Sequence, residues 1–186
     1  MSELRVALIG FGAWTRSAYL PALEYDGRAV VAAVAAPSAK TRQLAREALG
    51  SEIAVFDNYE ALLKDSSYDA IMIAVPDHQH QAALSAALKT GIPVFYEPPI
   101  ADTREQVSSM IDCLLAAPQV TYADLELGFN AVIPRAVNLI ENKTIGLLQN
   151  VTINLQAAWG REQPDLDLCL INRASCWYLD LLLSKT

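Results

Sequence analysis

The first 125 residues alternate short, continuous apolar runs with longer segments whose apolar positions recur every three or four residues. Continuous apolar runs rich in β-branched residues are typical of strands covered on both faces, since a strand with one wet face alternates instead. The pattern predicts six strands, at residues 5–9, 30–35, 53–56, 69–75, 94–97 and 120–125. Strands that alternate with helices form parallel sheets, so this part is predicted to be an α/β domain.

The segments between the strands carry the signals that begin and end helices. Ser38 is a suitable N-cap for a helix over residues 39–49, and Gly50 suits the position after its last turn. Thr103 and Gln106 have the spacing of a capping box ahead of a further helix. The predicted helices therefore fall between the predicted strands, as a sheet flanked by helices requires.

The pattern changes after about residue 127. It predicts a helix at 134–143, an extended run at 149–159 and a final apolar helix around 174–183. We therefore predict two parts: an α/β domain at 1–125, and at 126–186 the beginning of an α+β domain too short for an independent core.

A glycine-rich turn follows the first predicted strand and precedes a helical segment. In that context glycines allow a tight turn and let backbone amides approach a pyrophosphate at a helix N-terminus, as in a Rossmann-type doubly wound parallel sheet. Thr15 stands in the place of the third glycine of that fingerprint, so a tight turn without a ligand remains the alternative. The predicted cofactor-binding residues of this loop are Gly10, Phe11, Gly12, Ala13 and Trp14.

The end of the second strand indicates which dinucleotide is bound. Enzymes that bind NAD place Asp or Glu there for the ribose hydroxyls, whereas this chain has Ala36. Ser38, Lys40 and Arg42 follow, and a hydroxyl with two cations suits a 2′-phosphate, which favours NADP over NAD. The alternative is that Ser38 caps a helix while Lys40 and Arg42 lie on its solvated face.

Composition and charge exclude several partners. The formal net charge is −7, so no basic field is present for nucleic acid. The three cysteines lack C-x-x-C spacing, no stretch approaches about 18 consecutive apolar residues, and no signal peptide precedes the first strand, so we expect a cytoplasmic protein without a membrane span. His78 and His80 do not complete a metal-ligand set, so no metal is expected.

Several motifs together resemble one known family. They are VALIGFG, YLPAL, the stretch DAIMIAVPDHQHQAALSAALKTGIPVFYEPPIADTREQV, and GFNAVIPRAVNLIENKTIG, which together span residues 5 to about 155. The most specific stretch combines Pro76, His80, Gly91 and an E-x-P-x-A motif at 97–101. The order and spacing resemble the glucose-fructose oxidoreductase / inositol dehydrogenase (Gfo/Idh/MocA) family.

This resemblance implies a Rossmann domain followed by an α+β domain that carries the substrate site and often the oligomer interface, and hence a homo-oligomer. It also implies NAD(P)-dependent hydride transfer on sugars, inositols or related polyols, with His80 near the nicotinamide. Pro76, His80 and Glu97 are predicted to bind the cofactor. The second domain of the family is much longer than residues 126–186, so the chain resembles a truncated member.

The chain departs from the family at the positions that move protons. The family has E-K-P where this chain has Glu97-Pro98-Pro99, and its D-x-x-x-H-x-x-D pattern aligns with Arg173, Trp177 and Asp180. The usual lysine and histidine are therefore replaced, and each such loss removes about 10²- to 10⁴-fold in rate. Family members often carry Arg-Phe where this chain has Ala131, Val132 and Ile133. This difference makes the region that faces the substrate in the family less polar. The remaining weak catalytic candidates are Glu97, Tyr178 and Asp180, with His80, Tyr96, Tyr122 and Arg173 as further polar groups for the same cleft.

Three functional hypotheses follow from the sequence. The main one is an NAD(P)-dependent oxidoreductase-family protein with an NADP site, acting, if it is active, on a sugar or polyol by hydride transfer. The alternative is a non-catalytic regulatory or scaffolding relative that dimerises through its C-terminal part. The third is an incomplete chain whose missing residues supply the site.

Overall fold

Six apolar runs form the strands of one parallel sheet in the structure, a computed structural model that describes residues 3–65, 67–154 and 170–185. The strands are β1 (Leu4–Ile9), β2 (Ala29–Ala35), β3 (Ala54–Phe56), β4 (Ala70–Ile73), β5 (Val94–Tyr96) and β6 (Thr121–Ala123). Their order is β3-β2-β1-β4-β5-β6, with every neighbouring pair parallel. The predicted doubly wound Rossmann-type sheet is thus confirmed, and the strand order reverses between β1 and β4.

Strand β4 ends earlier than the predicted range of 69–75. The amide of Ala74 still donates to the Ile9 carbonyl (2.9 Å), but the Val75 carbonyl lies 2.7 Å from Nε2 of the His80 ring. Pro76 follows and has no backbone donor, so the ladder cannot continue. The carbonyl at the end of the strand is therefore bonded by His80, a side chain of the following helix.

Helices connect the successive strands. Those between strands are α1 (Leu20–Asp26), α2 (Ala39–Leu49), α3 (Tyr59–Leu62), α4 (Asp77–Leu88) and α5 (Arg104–Ala116), whereas α6 (Val132–Glu141) and α7 (Leu170–Lys185) follow β6. Helix α2 has its predicted bounds, and α6 and α7 begin two and four residues earlier than predicted. The Ser38 hydroxyl accepts from the Thr41 amide (3.4 Å), and Thr103 forms the capping box with Gln106. Both predicted caps are confirmed.

The core has two layers because adjacent side chains of each strand point to opposite faces of the sheet. On β1, Val6 and Leu8 pack into one cluster with Val34 and Ala45, while Ala7 and Ile9 belong to a larger cluster on the other face. All four β1 residues are at most 4% exposed. Covering of both faces explains why the strands appear in the sequence as continuous apolar runs.

The chain divides into two compact units, Met1–Asp124 and Leu125–Thr186. The second contains a 3₁₀ turn (Glu126–Phe129), α6 and α7, and the indole of Trp177 donates to Oε2 of Glu126. Residues 149–154 have no regular secondary structure, and the rest of the predicted extended run lies outside the described residues. Within the described ranges, no helix is both long and apolar enough to cross a bilayer.

Candidate functional site

A cavity of about 630 Å³ lies in the first unit at the carboxyl ends of the strands, where the strand order reverses. In open α/β sheets this crevice is where ligands bind. Its walls come from the strand ends, loops and first helical turns at five strands. The lining residues are 9–14 at β1, 35–37 and 41 at β2, 57–60 after β3, 74–77, 79 and 80 after β4, and 97 and 98 after β5. Every predicted member of the glycine loop therefore lies at one cavity, together with Pro76, His80 and Glu97.

Gly10 is required by two independent features of the backbone. Its φ of +96° lies in the region that side chains other than glycine rarely adopt. A Cβ at this position would stand 2.0 Å from the Ala74 carbonyl oxygen, because the loop crosses directly over the end of β4. The Gly10 amide also donates to the Ala35 carbonyl (2.9 Å). Gly10 therefore packs the loop against both neighbours of β1.

Gly12 has the opposite environment. A Cβ added there would meet nothing within 4 Å, so the fold itself does not require glycine. The helical segment begins at the next residue, Ala13, and the Gly12 carbonyl accepts from the Arg16 amide (3.3 Å). The first amides of a helix have no intrahelical partners and face the region before it. Gly12 thus leaves open space at a helix N-terminus.

Thr15 replaces the third glycine without disturbing the turn. Its side chain is fully buried, and its hydroxyl lies 3.3 Å from the Gly10 carbonyl, to which it donates. The helical segment is π-helical over Thr15–Tyr19 before it continues as α1. The departure from the fingerprint is therefore accommodated by a buried hydrogen bond.

Glu97 connects the loop after β5 to the helix after β1. One of its carboxylate oxygens, Oε1, accepts from the Trp14 indole and from the Tyr19 hydroxyl, each at 2.5 Å. Tyr19 is 4% exposed, whereas Trp14 is 48% exposed and lines the cavity beside Glu97. The Tyr19 ring also packs edge-on against Phe95 (5.5 Å between centroids). This Trp14–Glu97–Tyr19 cluster fixes the carboxylate at the cavity wall.

His80 holds two loops together from a buried position. It is 4% exposed, with Nε2 at 2.7 Å from the Val75 carbonyl and Nδ1 at 2.6 Å from the Pro99 carbonyl. Both partners are backbone carbonyl oxygens from different segments of the chain. His80 thereby joins the end of β4 to the Pro98–Pro99 segment, whose peptide bond is cis.

The residues predicted to select NADP do not line the cavity. Ser38 is occupied as the cap of α2, and Lys40 is exposed. The Arg42 guanidinium donates to the carbonyls of Ala36 and Pro37, both at 2.8 Å, and these two residues do line the cavity. Arg42 therefore binds the backbone of two residues in the cavity wall without lining the cavity itself.

Sequence reasoning did not identify the residues after β3. Asp57 and Asn58 line the cavity near the end of β2; the Asn58 amide donates to Asp57 (2.7 Å), and its oxygen caps α3. The signal that could have identified them is an acid-amide pair that directly follows a short strand. Among the described residues that line the cavity, the charged ones are Asp57, Glu60, Asp77 and Glu97, with no Lys or Arg.

The other polar candidates lie elsewhere. Tyr96 belongs to the core, where burial raises the pKa of its hydroxyl above the usual value, and Tyr122 stacks on Phe95 (5.7 Å). Tyr178 and Asp180 are half-buried on α7 in the second unit, and the side chain of Arg173 lies outside the described residues. In the described part of the chain, no group of three or more His, Cys, Asp or Glu could hold a metal.

Comparison with known proteins matches the same part of the chain. The family profile described as "Oxidoreductase family, NAD-binding Rossmann fold" (GFO_IDH_MocA) matches residues 4–123. Inositol 2-dehydrogenase 1 of Saccharopolyspora erythraea is 38% identical over 77 residues, which cover 41% of this chain and 23% of the relative. D-xylose 1-dehydrogenase (NADP(+)) 2 of Haloferax volcanii is 27% identical over 135 residues, which cover 73% of this chain and 41% of the relative.

A solved structure matches a similar share of this chain. Myo-inositol dehydrogenase from Lactobacillus casei, in complex with NAD(H) and myo-inositol, superposes with a TM-score of 0.72 at 25% identity. The match covers 77% of this chain and 43% of that chain. The chain thus spans less than half the length of these relatives.

Proposed function

This chain belongs to the Gfo/Idh/MocA oxidoreductase family, as its motifs predicted, and we propose that its first unit binds a nicotinamide dinucleotide in the cavity at the strand ends. The observation that carries this proposal is the contrast between the two glycines of the loop. Gly10 is needed by the fold, but Gly12 only leaves space, at the point where a helix begins. Space at a helix N-terminus is what an approaching pyrophosphate requires.

The proposed nucleotide is NADP in preference to NAD. Ala36 offers no carboxylate for the ribose hydroxyls, and the Arg42 guanidinium stands at the Ala36 and Pro37 carbonyls beside that end of the cavity. The positive charge of Arg42, held against these two carbonyls, favours a 2′-phosphate at this end of the cavity by electrostatic attraction without direct contact. The carboxylate of Asp57, which also lines this end of the cavity, would repel a 2′-phosphate and so reduces the preference that Arg42 creates.

The first test is a thermal shift with NADP⁺, NAD⁺ and no ligand. A nucleotide at 100 times its Kd should stabilise the fold by about 2.7 kcal/mol, which is roughly 5–10 °C for a chain of this size. We expect the larger shift with NADP⁺. In Arg42→Gln the NADP⁺ shift should fall to that of NAD⁺, while the exposed control Lys40→Gln should resemble the wild type. If neither NADP⁺ nor NAD⁺ raised the melting temperature, that result would contradict the binding proposal.

For the reaction we propose hydride transfer on a sugar or polyol, because relatives are named as inositol and xylose dehydrogenases. Oxidation of an alcohol needs a group that accepts the hydroxyl proton. Glu97 is the carboxylate beside Pro98 at the cavity, while Tyr178 and Asp180 lie on α7 and remain weaker candidates. A nicotinamide ring, when bound, supplies the hydride acceptor. Glu97 is fixed by two donors, which favours a positioning role over proton transfer.

A second test asks whether Pro98 limits turnover. Replacing Pro98 by Lys places an amine at the family's usual position, and we expect NADP⁺ reduction over a polyol panel to rise by about 10²-fold or more. Pro98→Met is the matched control, since it adds an unbranched side chain without a proton-transfer group. Equal rates in Lys and Met variants would show that the amine alone does not restore the reaction, and would favour the non-catalytic alternative.

Cytoplasmic location and a homo-oligomeric state remain predictions. The C-terminal unit exposes large apolar side chains, among them Phe129, Leu147 and Leu183 at 72–85%. Apolar exposure of this kind is compatible with an oligomer interface. Size-exclusion chromatography with light scattering would determine the oligomeric state directly.

A further inference from the structure

We infer that Trp14, anchored by Glu97, forms the wall against which the nicotinamide ring packs. This inference rests on the nucleotide binding proposed above and adds a positioning residue to it. Trp14 lies in the first turn of the helical segment after β1 and Glu97 in the loop after β5, yet both line the cavity and are hydrogen-bonded to each other. The bond places an aromatic side chain between the segments that follow β1 and β5.

The topology indicates which half of a dinucleotide Trp14 would meet. The cavity extends from residues after β2 and β3 on one side to residues after β4 and β5 on the other. With the pyrophosphate at the glycine loop, the adenosine half lies over β2 and β3, and the other half lies over β4 and β5. Because Trp14 reaches Glu97 after β5, its indole stands on the nicotinamide side.

The indole is held at its edge and half-exposed. The N–H at the edge of the ring is used by Glu97, and the side chain keeps 48% of its surface accessible. Planar rings stack on such aromatic surfaces, and an oxidised nicotinamide ring is cationic, which adds a cation–π attraction that is largest for tryptophan. The oxidised nucleotide should therefore gain more from Trp14 than the reduced one.

Tyr19 makes the arrangement rigid. Its hydroxyl is the second donor to the same Glu97 oxygen, and its ring is buried against Phe95. The carboxylate is thus oriented from the protein interior before any ligand arrives. A wall that is already ordered loses less conformational entropy on binding than a mobile side chain does.

The test compares two ligands that differ only in the nicotinamide: NADP⁺ and 2′-phospho-ADP-ribose, measured by calorimetry. Trp14→Leu should weaken NADP⁺ roughly 10-fold and NADPH less, and leave 2′-phospho-ADP-ribose within about twofold of wild type. Trp14→Phe keeps an aromatic face without the indole N–H, so its affinity for NADP⁺ should lie between those of the wild type and Trp14→Leu. Tyr25→Leu is the matched control, because Tyr25 is a 96% exposed aromatic residue on α1 that does not line the cavity.

Fluorescence gives a second readout that a merely structural role would not change. Nicotinamide stacked on Trp14 should quench its emission, so the quenching by NADP⁺ should be smaller in Trp14→Phe than in wild type. Equal weakening of both ligands in Trp14→Leu, or of neither, would overturn the inference while leaving nucleotide binding intact. If the wild-type protein binds neither probe, then the proposed function is wrong and the inference falls with it.

Discussion

Replacing Gly10 by alanine is expected to lower the free energy of unfolding by about 3–5 kcal/mol, more than the same change at any other glycine in the described ranges. The backbone contribution comes from φ of +96°, where an L side chain is strained. The packing contribution comes from the Ala74 carbonyl oxygen, which would lie 2.0 Å from the new Cβ. Since this neighbour is backbone, relief requires β1 or β4 to move.

The loss should appear as a lower urea midpoint with an unchanged denaturant slope. Gly27→Ala is the matched control: φ is +68° there, but a Cβ would meet nothing within 4 Å. The control should cost only the backbone strain, about 1–2 kcal/mol. If the two variants lose equal stability, the close approach of the loop to β4 contributes nothing, and the account of Gly10 is incorrect.

The sequence predicted the sheet because each strand carries its own local signal. Runs such as residues 5–9 and 69–75 are apolar on consecutive positions, and Ser38 and Thr103 mark helix starts through hydrogen bonds to residues three positions away. Such signals depend on near neighbours in the chain. They can therefore be recognised in the sequence without knowledge of the tertiary structure.

The site was predicted less completely because its contacts join distant segments. Trp14 bonds to Glu97 across 83 positions, and Gly10 packs on Ala74 across 64. Contacts between residues so far apart produce no periodic pattern in the sequence. The sequence pattern therefore identified the glycine loop but not the Trp14–Glu97–Tyr19 cluster or the contribution of Asp57.

Arg42 shows how one side chain can differ from its predicted role. The sequence predicts its cation either as a 2′-phosphate ligand or as part of a solvated face of α2. In the structure the guanidinium is half-buried and donates to the carbonyls of two cavity residues, Ala36 and Pro37, so the solvated face is not a complete description, and the 2′-phosphate role stays a prediction. A charge near a site can act on the ligand or on the wall that holds it, and the position in the sequence does not distinguish these roles.

Gly12→Ala is expected to weaken nucleotide binding by at least about 30-fold while leaving the fold intact. In the protein without ligand the new Cβ meets no atom within 4 Å, and φ is outside the strained region. Replacing glycine at a compatible position restricts the unfolded chain and stabilises by about 0.4–1 kcal/mol. The variant should therefore melt at or slightly above the wild-type temperature.

Binding should respond in the opposite direction, because the space beside Gly12 is the space that a pyrophosphate needs at the helix N-terminus. A methyl group there forces the phosphates away from the first helical amides, and Gly12→Val should bind still more weakly. Calorimetry with NADP⁺, together with melting of the unliganded variants, separates the two effects. Gly27→Ala is again the control, since it lies outside the cavity and should keep wild-type affinity. Undiminished affinity in Gly12→Ala would mean that the phosphates do not approach this loop, which would remove the observation that carries the proposed function.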